Sequence, residues 1–433
     1  MMTTFMKRMV LAIQALALIA HVVAAHAADE SGTRVLRGSK VYFSPDLPPI
    51  ADGIVLIRNG KIISAGDKAT ARIPAGAQES RCSGGVVTAG FQNSHVHFIG
   101  EQWNNAGSKP AAELSRQIVA MLTRYGYTTV FDIASDRENT FALRARIERG
   151  EVAGPRIMAV GMPLFPRNGL PVYLDHFPRE FLDRLPQPAN AEDAAKVVRE
   201  NIDAGADGTK LFIVTPQIGR VTRMNADIAR AAADETHRRG KLVFAHPTDI
   251  EGVRASLAAG VDILAHTTLG VETPWPDELR KQAIAQGMSL IPTLKLMRYE
   301  LKKEDVPPAI TERLVAVSID HVKTFVAAGG QVLFGTDVGY MGDFDPAEEY
   351  VLLSKAGMSN MQILASLTTT PASRWKEGGR RGRLAPAMDA DLVVLEADPA
   401  ADPANFAKVA CTIRQGEIIY SAAGRVETGK TAK

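Results

Sequence analysis

The sequence predicts an α/β protein: a TIM (β/α)8 barrel with a small composite β-sandwich domain formed from the N- and C-terminal segments. Three observations predict it. Between residues 88 and 380, strand-like runs alternate with helix-like ones, giving eight β-like segments in roughly 290 residues. Several of these strands follow a helix-like segment closed by glycine (RRGKLVF, AAGVDIL, AQGMSL, AAGGQVLF), the residue best suited to the left-handed conformation after a helix end. On both sides of that region the helical period disappears, and short β-like runs separated by turn residues take over.

Taken in order, residues 1–27 read as a secretory signal peptide. Lys7 and Arg8 form its charged region, Met9 to Val23 is apolar apart from Gln14 and His21, and Ala25-His26-Ala27 fits a small-x-small cleavage site. A membrane span needs about 20 consecutive apolar residues, and this run is short and interrupted. The expected product is a secreted or periplasmic protein, with no stable membrane association after cleavage near Ala28. Residues 32–87 hold VLRGSKVYF, a turn rich in proline (Pro45, Pro48, Pro49) and GIVLIRNGKIISAG, in which Asn59-Gly60 signals a hairpin. Residues 88–380 form the barrel, from VVTAGFQNSHVH through TTVFDIA, RIMAVGM, GTKLFIV, KLVFAHP, DILAHTT and MSLIPTL to QVLFGTD. Residues 381–425 return to β character, with a turn at Gln415-Gly416, and pair most economically with 32–87. Residues 426–433 read as a tail. Proline-containing loops at 163–190 and near 303–308 are expected to be mobile elements over the site.

Composition narrows the function classes. The formal charge of +2 falls to zero once Lys7 and Arg8 leave with the signal peptide, so nothing attracts the chain globally to nucleic acid. Cys82 and Cys411 are too few for a disulfide scaffold or a thiolate metal site. Two buried free thiols are the expectation, and a single disulfide within the small β domain is the alternative.

The candidate chemistry lies at the C-terminal ends of five β-like runs: His95 and His97 in FQNSHVHF, Lys210 in GTKLF, His246 in LVFAHP, His266 in ILAHTT and Asp337 in VLFGTDVG. On a strand, residues i and i+2 point to one side, so His95 and His97 share a face. Neutral imidazoles are good zinc ligands, and the C-terminal strand ends are where such barrels place active sites. Lys210 as an ammonium repels a cation and pairs instead with Asp337 or a neighbouring carboxylate. Carboxylated by CO2, it becomes an anion able to bridge two ions. Two divalent ions with that carboxylate, Asp337 and a hydroxide leave one positive charge, an electrophilic centre suited to polarising a carbonyl. Both states of Lys210 are open at this point.

These residues resemble the amidohydrolase superfamily, and LVFAHP, LAAGVDILAHTT, LFGTDVG, SLTTTPASRW and GRLAPAMDADLVVLEADP are similar to its imidazolonepropionase- and prolidase-like branch. The resemblance implies two divalent ions, zinc above all. It implies that His95 and His97 hold the more buried ion, His246 and His266 the second, and carboxylated Lys210 the bridge. Asp337 then binds the first ion and acts as general base and proton shuttle. It further implies hydrolysis of a small-molecule amide C–N bond, of the dipeptide or N-acyl amino acid type. The alternatives are a mononuclear cyclic amidohydrolase and a non-catalytic binding protein on the same scaffold. The pattern departs at Ala89-Gly90 (usually Pro-Gly), at AHP (often AHAHG) and at MPLFPRNGLPVYLDH in place of a Gly/His-rich segment. Oligomeric state is left open, a homo-oligomer included.

Other residues carry weaker signals. Asp132 closes the second strand as a partner for a ligand histidine or a helix cap. His176, Tyr173 and Arg167 lie in the third loop, where solvation is the default. His237 and His321 sit on helical segments as surface residues, and Lys376, Arg380, Arg381 and Arg383 form a basic run expected to be a solvated joint.

Overall fold

The computed structural model describes residues 32–424 apart from 176, 218 and 269–272. The expected signal peptide, the tail and His176 lie outside the described residues. Among the described residues, eight parallel strands form two sheets, and we number them β1 (Phe91–Val96), β2 (Tyr127–Asp132), β3 (Arg156–Ala159), β4 (Gly208–Phe212), β5 (Leu242–His246), β6 (Ile263–Ala265), β7 (Ser289–Ile291) and β8 (Gln331–Val332). The first three make one sheet and the last five the other, each strand beside its sequence neighbour. Backbone hydrogen bonds run between the sheet edges. Leu164 N donates to Lys210 O on one side (2.9 Å), and Ser94 N donates to Phe334 O on the other (2.8 Å). The fold is α/β and TIM-barrel-like.

Period-two alternation fills its interior. Phe131, Ile133, Met158, Val160, Phe244, Ile263, Ala265, Ile291 and Leu333 form one buried cluster. Trp375 lies against it, 4.7 Å from Phe131 and 5.7 Å from Phe244 between ring centroids. Because the apolar side chains occupy the lower part of the strands, the polar ones at i+2, such as His246 after Phe244, emerge above them. Helices cover the outside. Asn190, Asn225 and Asp249 cap three of them by accepting backbone N–H groups. The expected αβ joints are present, with Gly240, Gly260, Gly287 and Gly329 at φ between +68° and +87°.

The flanking segments build two further sheets. One has four strands, in the order Lys61–Asp67, Gly53–Arg58, Arg34–Arg37, Gln78–Glu79. The other has six and mixes both ends of the chain: Glu417–Ser421, Val409–Arg414 and Leu392–Leu395 lie beside Val86–Ala89, Lys40–Val41 and Ile50–Ala51. Leu36, Val55 and Ile57 of the first share a buried core with Val87, Leu392, Val394 and Ile413 of the second. Asn59-Gly60 and Gln415-Gly416 turn the chain as expected, all four residues at positive φ. Among the described residues no helix is long and apolar enough to cross a membrane.

Four expectations are corrected. VVTAGFQNSHVH is two strands: Val86–Ala89 pairs with Leu392–Leu395, and Phe91–Val96 enters the parallel sheet. The switch falls at Gly90, where a Cβ would come within 2.2 Å of Thr128 Oγ1. Cys82 and Cys411 form a disulfide, their Cα atoms 5.9 Å apart, because the turn after Gln78–Glu79 packs onto strand Val409–Arg414. His321 is fully buried, stacked on Trp275 (5.5 Å), with Nε2 bonded to Thr273 O (3.1 Å). Arg381 is only 5% exposed and donates to Asp389 Oδ2 (2.8 Å) and Thr129 Oγ1 (3.3 Å), so one member of the basic run joins the outer sheets to the parallel ones.

Candidate metal centre

β1 ends with His95 and His97 on one side, both buried. The segment after β8 lies directly against it: Asp337 N donates to His95 O, and His97 N to Val338 O, each at 2.9 Å. Glycine permits this approach. A Cβ on Gly335 would lie 2.8 Å from His95 Cβ, and one on Gly339, at φ +100°, 1.9 Å from the His97 carbonyl oxygen. Asn93 locks the pairing, its Oδ1 accepting from His95 N (3.1 Å) and its Nδ2 donating to Thr336 Oγ1 (2.7 Å).

The result is a tight cluster of acceptors. Asp337 Oδ1 lies 2.7 Å from His97 Nε2 and 3.2 Å from His95 Nε2, and the two Nε2 atoms are 3.2 Å apart. His266 Nε2 is 3.9 Å from Asp337 Oδ2. One ligand atom each from His95, His266 and Asp337 falls within 4.8 Å of the others. Outer hydrogen bonds determine where the ring protons sit. His97 Nδ1 faces the Ala134 carbonyl at 3.0 Å and must carry a proton. His266 Nδ1 donates to Thr293 Oγ1 (2.7 Å), whose own hydroxyl donates to Pro292 O (2.8 Å). In their neutral forms both rings therefore turn a bare Nε2 lone pair toward Asp337. Acceptors this close repel one another unless a positive charge lies among them, either a second ring proton or a metal ion.

The electrostatics favour the metal-binding form. Burial takes His95 down to about 4 and His246 to about 3, and it holds His266 well below its ordinary value. Burial alone would raise the Asp337 carboxyl, but the facing His95 and His97 rings hold it well below the usual carboxylate range. Neutral imidazoles around an ionised carboxylate are a donor set that suits zinc. Backbone strain collects here too. His266 (φ +82°), Thr293 (φ +47°) and Asp337 (φ +61°) adopt left-handed conformations just beyond β6, β7 and β8.

Lys210 and His246 complete the ring of strand ends. Lys210 is 1% exposed, and among the described residues no carboxylate lies within ion-pairing distance of its ammonium. The group sits 5.3 Å from the Phe212 ring centroid, and burial brings it down to about 7 against the pull of Asp337. The ion-paired alternative for Lys210 is therefore not what the structure contains. His246 stacks on Phe212 (5.1 Å between centroids) and lies 4.7 Å from the His266 ring.

All six expected residues line one cavity of about 810 Å³. Its apolar walls come from both loops singled out above: Phe165, Tyr173, Leu174, Phe177, Phe181 and Leu185 from the first, and Val306 from the second. Helix Leu294–Lys303 adds Leu296, Glu300, Leu301 and Lys303. Tyr173 packs edge-on against Tyr340 (5.3 Å), whereas Arg167 is exposed and lines a separate hollow. Asp132 lies 3.9 Å from His97 Nδ1 while accepting from Ser135 and Thr140 hydroxyls, which makes it a support for the Ala134–Ser135 turn. Asn93, Thr293, Glu300 and Tyr340 were not anticipated. Their partners come from other strands or loops, and only the aromatic density of 163–185 was visible as a signal.

Similarity to known proteins agrees with this fold. An ochratoxinase of Aspergillus niger is 23% identical over 352 residues, covering 73% of this chain and 71% of that protein. An uncharacterized protein of Mycobacterium tuberculosis is 26% identical over 351 residues, covering 76% and 84%. Among solved structures, a Xaa-Pro dipeptidase with bound methionine superposes with a TM-score of 0.75 at 19% identity, over 90% of this chain and 100% of that one. The Aspergillus niger ochratoxinase structure gives 0.73 at 20% identity, over 93% and 99%. The amidohydrolase family profile matches residues 86–419, from the end of the N-terminal β segment through β8 and into the C-terminal strands, and the chain belongs to the amidohydrolase family.

Proposed function

We propose that this chain is an exported, metal-dependent hydrolase that cleaves the amide C–N bond of a small molecule of the dipeptide or N-acyl amino acid type. The observation that carries the reading is the convergence of bare imidazole Nε2 atoms on the Asp337 carboxylate, beside a buried lysine without a carboxylate partner. The two parallel sheets are read as one (β/α)8 barrel spanning 88–380. The outer sheets are read as a composite sandwich of 32–87 and 381–425. Relatives named for ochratoxin and Xaa-Pro dipeptides support a small hydrolysable substrate.

His95, His97 and Asp337 would hold one divalent ion and His246 with His266 a second, with Lys210 between them as its CO2-derived carboxylate. Two such ions, zinc by donor type, supply Lewis acidity for a carbonyl and a lowered pKa for water. The remaining work falls to the chain. The Lys210 amine adds to CO2, forming an N–C bond and releasing a proton. Its burial supports this, because an uncompensated ammonium beside cations is costly. Asp337 takes a proton from the attacking water at a carboxylate oxygen and delivers it to the amide nitrogen as the C–N bond breaks. Ala134 O and Thr293 Oγ1 hold the His97 and His266 rings in the tautomer the site requires. The apolar walls limit water to the reacting end.

The compact group of His95, His266 and Asp337 favours a second reading, a single ion with the remaining donors orienting substrate. Metal analysis of purified protein combined with hydrolysis of a dipeptide and N-acyl amino acid library tests both. About two ions per chain with turnover is the expected result. One ion after full reconstitution selects the mononuclear reading, and metal binding without turnover of any amide overturns the hydrolase. Intact mass of the mature protein, expected to begin near Ala28, tests export.

A further inference from the structure

Apart from the six strand-end residues, the charged groups lining the cavity among the described residues are Glu300, Lys303 and Glu304, which together carry one net negative charge. Glu300 stands out. Its carboxylate takes a hydrogen bond from the Tyr340 hydroxyl, while its Oε1 is buried and accepts none. The nearest cation, Lys303 Nζ, is 3.9 Å away, beyond hydrogen-bond reach, and donates instead to Tyr340 Oη at 3.2 Å. Lys303 itself is about half exposed at the rim, so water screens its charge. Glu300 also lies close enough to Asp337 for the two negative charges to act on one another. Its helix is firmly seated: Glu349 accepts from Leu294 N (3.0 Å) and Lys295 N (2.7 Å), and Lys295 Nζ donates to Asp345 O (2.6 Å). A fixed carboxylate on the wall of a largely apolar substrate cavity, with one oxygen desolvated and short of a hydrogen-bond donor, calls for a donor from the ligand.

We infer that Glu300 reads a cationic amine on the substrate. The substrate class is then an amide with a free ammonium close to the scissile carbonyl, such as an unblocked dipeptide or aminoacyl amide, and acyl-blocked amino acids are disfavoured. An ammonium there completes the Glu300 shell, while a substrate carboxylate at the same place would face two negative charges. The inference names the substrate of the proposed hydrolase and rests on that reading for its turnover arm, but not for its binding arm.

Binding is measured first, by calorimetry on the metal-loaded full chain at pH 7, with 2-phenylethylamine, 2-phenylethanol and 3-phenylpropionate. The ring and chain are similar in all three, and the charge is positive, zero and negative. The amine should bind at least about tenfold more tightly than the alcohol, the size expected of a charge-assisted hydrogen bond. Glu300→Gln should bring the two within about threefold, and Lys303→Gln, which removes the competing cation, should widen the gap. Equal or weaker binding of the amine overturns the inference, as does an unchanged or narrower gap in Lys303→Gln. Tightest binding of the carboxylate overturns it in favour of Lys303 as an anion site. In the turnover arm, Phe-Phe is compared with its des-amino analogue 3-phenylpropionyl-Phe. A kcat/KM preference for Phe-Phe that Glu300→Gln abolishes supports the inference, and a preference for the des-amino compound overturns it. Absence of turnover for both, with the amine still preferred in binding, counts against the hydrolase reading and leaves Glu300 as the amine site.

Discussion

His97 and His266 owe their bare Nε2 atoms to the hydrogen bonds made by their other ring nitrogens. Each ring has one nitrogen committed, to Ala134 O in one case and to Thr293 Oγ1 in the other, so the second nitrogen is left bare. Removing such an outer partner typically costs 10- to 100-fold in metal affinity. Thr293→Val should therefore weaken zinc binding by about that factor, measured by competition with a chromogenic chelator, with little change in fold. Unchanged affinity would show that His266 is not held by this bond. Lys210 gives the sharper test. Lys210→Ala should lose one ion or both and most activity, and formate or acetate in the buffer should restore part of each by occupying the vacated space. Lys210→Arg should not be rescued, since guanidinium fills the site and keeps its charge. Full metal loading in Lys210→Ala would remove the bridging role.

At the scale of elements, the site depends on how closely the segment after β8 approaches β1. A Cβ at Gly339 would sit 1.9 Å from the His97 carbonyl oxygen on a backbone at φ +100°. Gly339→Ala should therefore lower stability by at least about 1–3 kcal/mol and reduce metal content. Thermal unfolding together with metal analysis checks this, and a wild-type profile would show that the approach is not needed. The same elements show what sequence can reveal. His95 and His97 were legible because the i, i+2 rule is local, and Lys210, His246, His266 and Asp337 because each ends an apolar β-like run. The αβ joints were legible because glycine's freedom is a local property. Thr293 and Asn93 were not, since a short polar residue at a strand end looks the same whether or not it serves a ring from another strand. His321 misled because its helix reads as amphipathic, while its burial comes from Trp275, which lies outside that helix.

At the scale of the whole molecule, segments from before and after the parallel strands meet in the six-stranded sheet, so the two flanks of the chain close on one another. Val86–Ala89 pairs with Leu392–Leu395, and Thr412 and Arg414 of the next strand reach back to Thr123 O (2.6 Å) and Glu148 (2.6 Å) beside the parallel strands. Cys82 and Cys411 pin this closure across 329 residues, a pairing that no local pattern could disclose. Both are buried in the core shared by the outer sheets, and neither lines the cavity. A cross-link over so long a loop removes much disorder from the unfolded chain. The entropy relation puts its ceiling at about 5–6 kcal/mol, and measured bridges more often contribute about 2–4 kcal/mol. Cys411→Ser, or reduction of the wild type, should therefore lower unfolding stability by roughly 2–4 kcal/mol in urea titrations. Metal content and kcat at 25 °C should change less than about twofold, because the bond acts on the unfolded chain and lies outside the site. Such a bond also requires an oxidising compartment, which is where the proposed export would place the protein. Thiol titration of exported protein under denaturing conditions should find no free cysteine. Two reactive thiols per chain would show that the pair is reduced and that the closure rests on strand pairing alone.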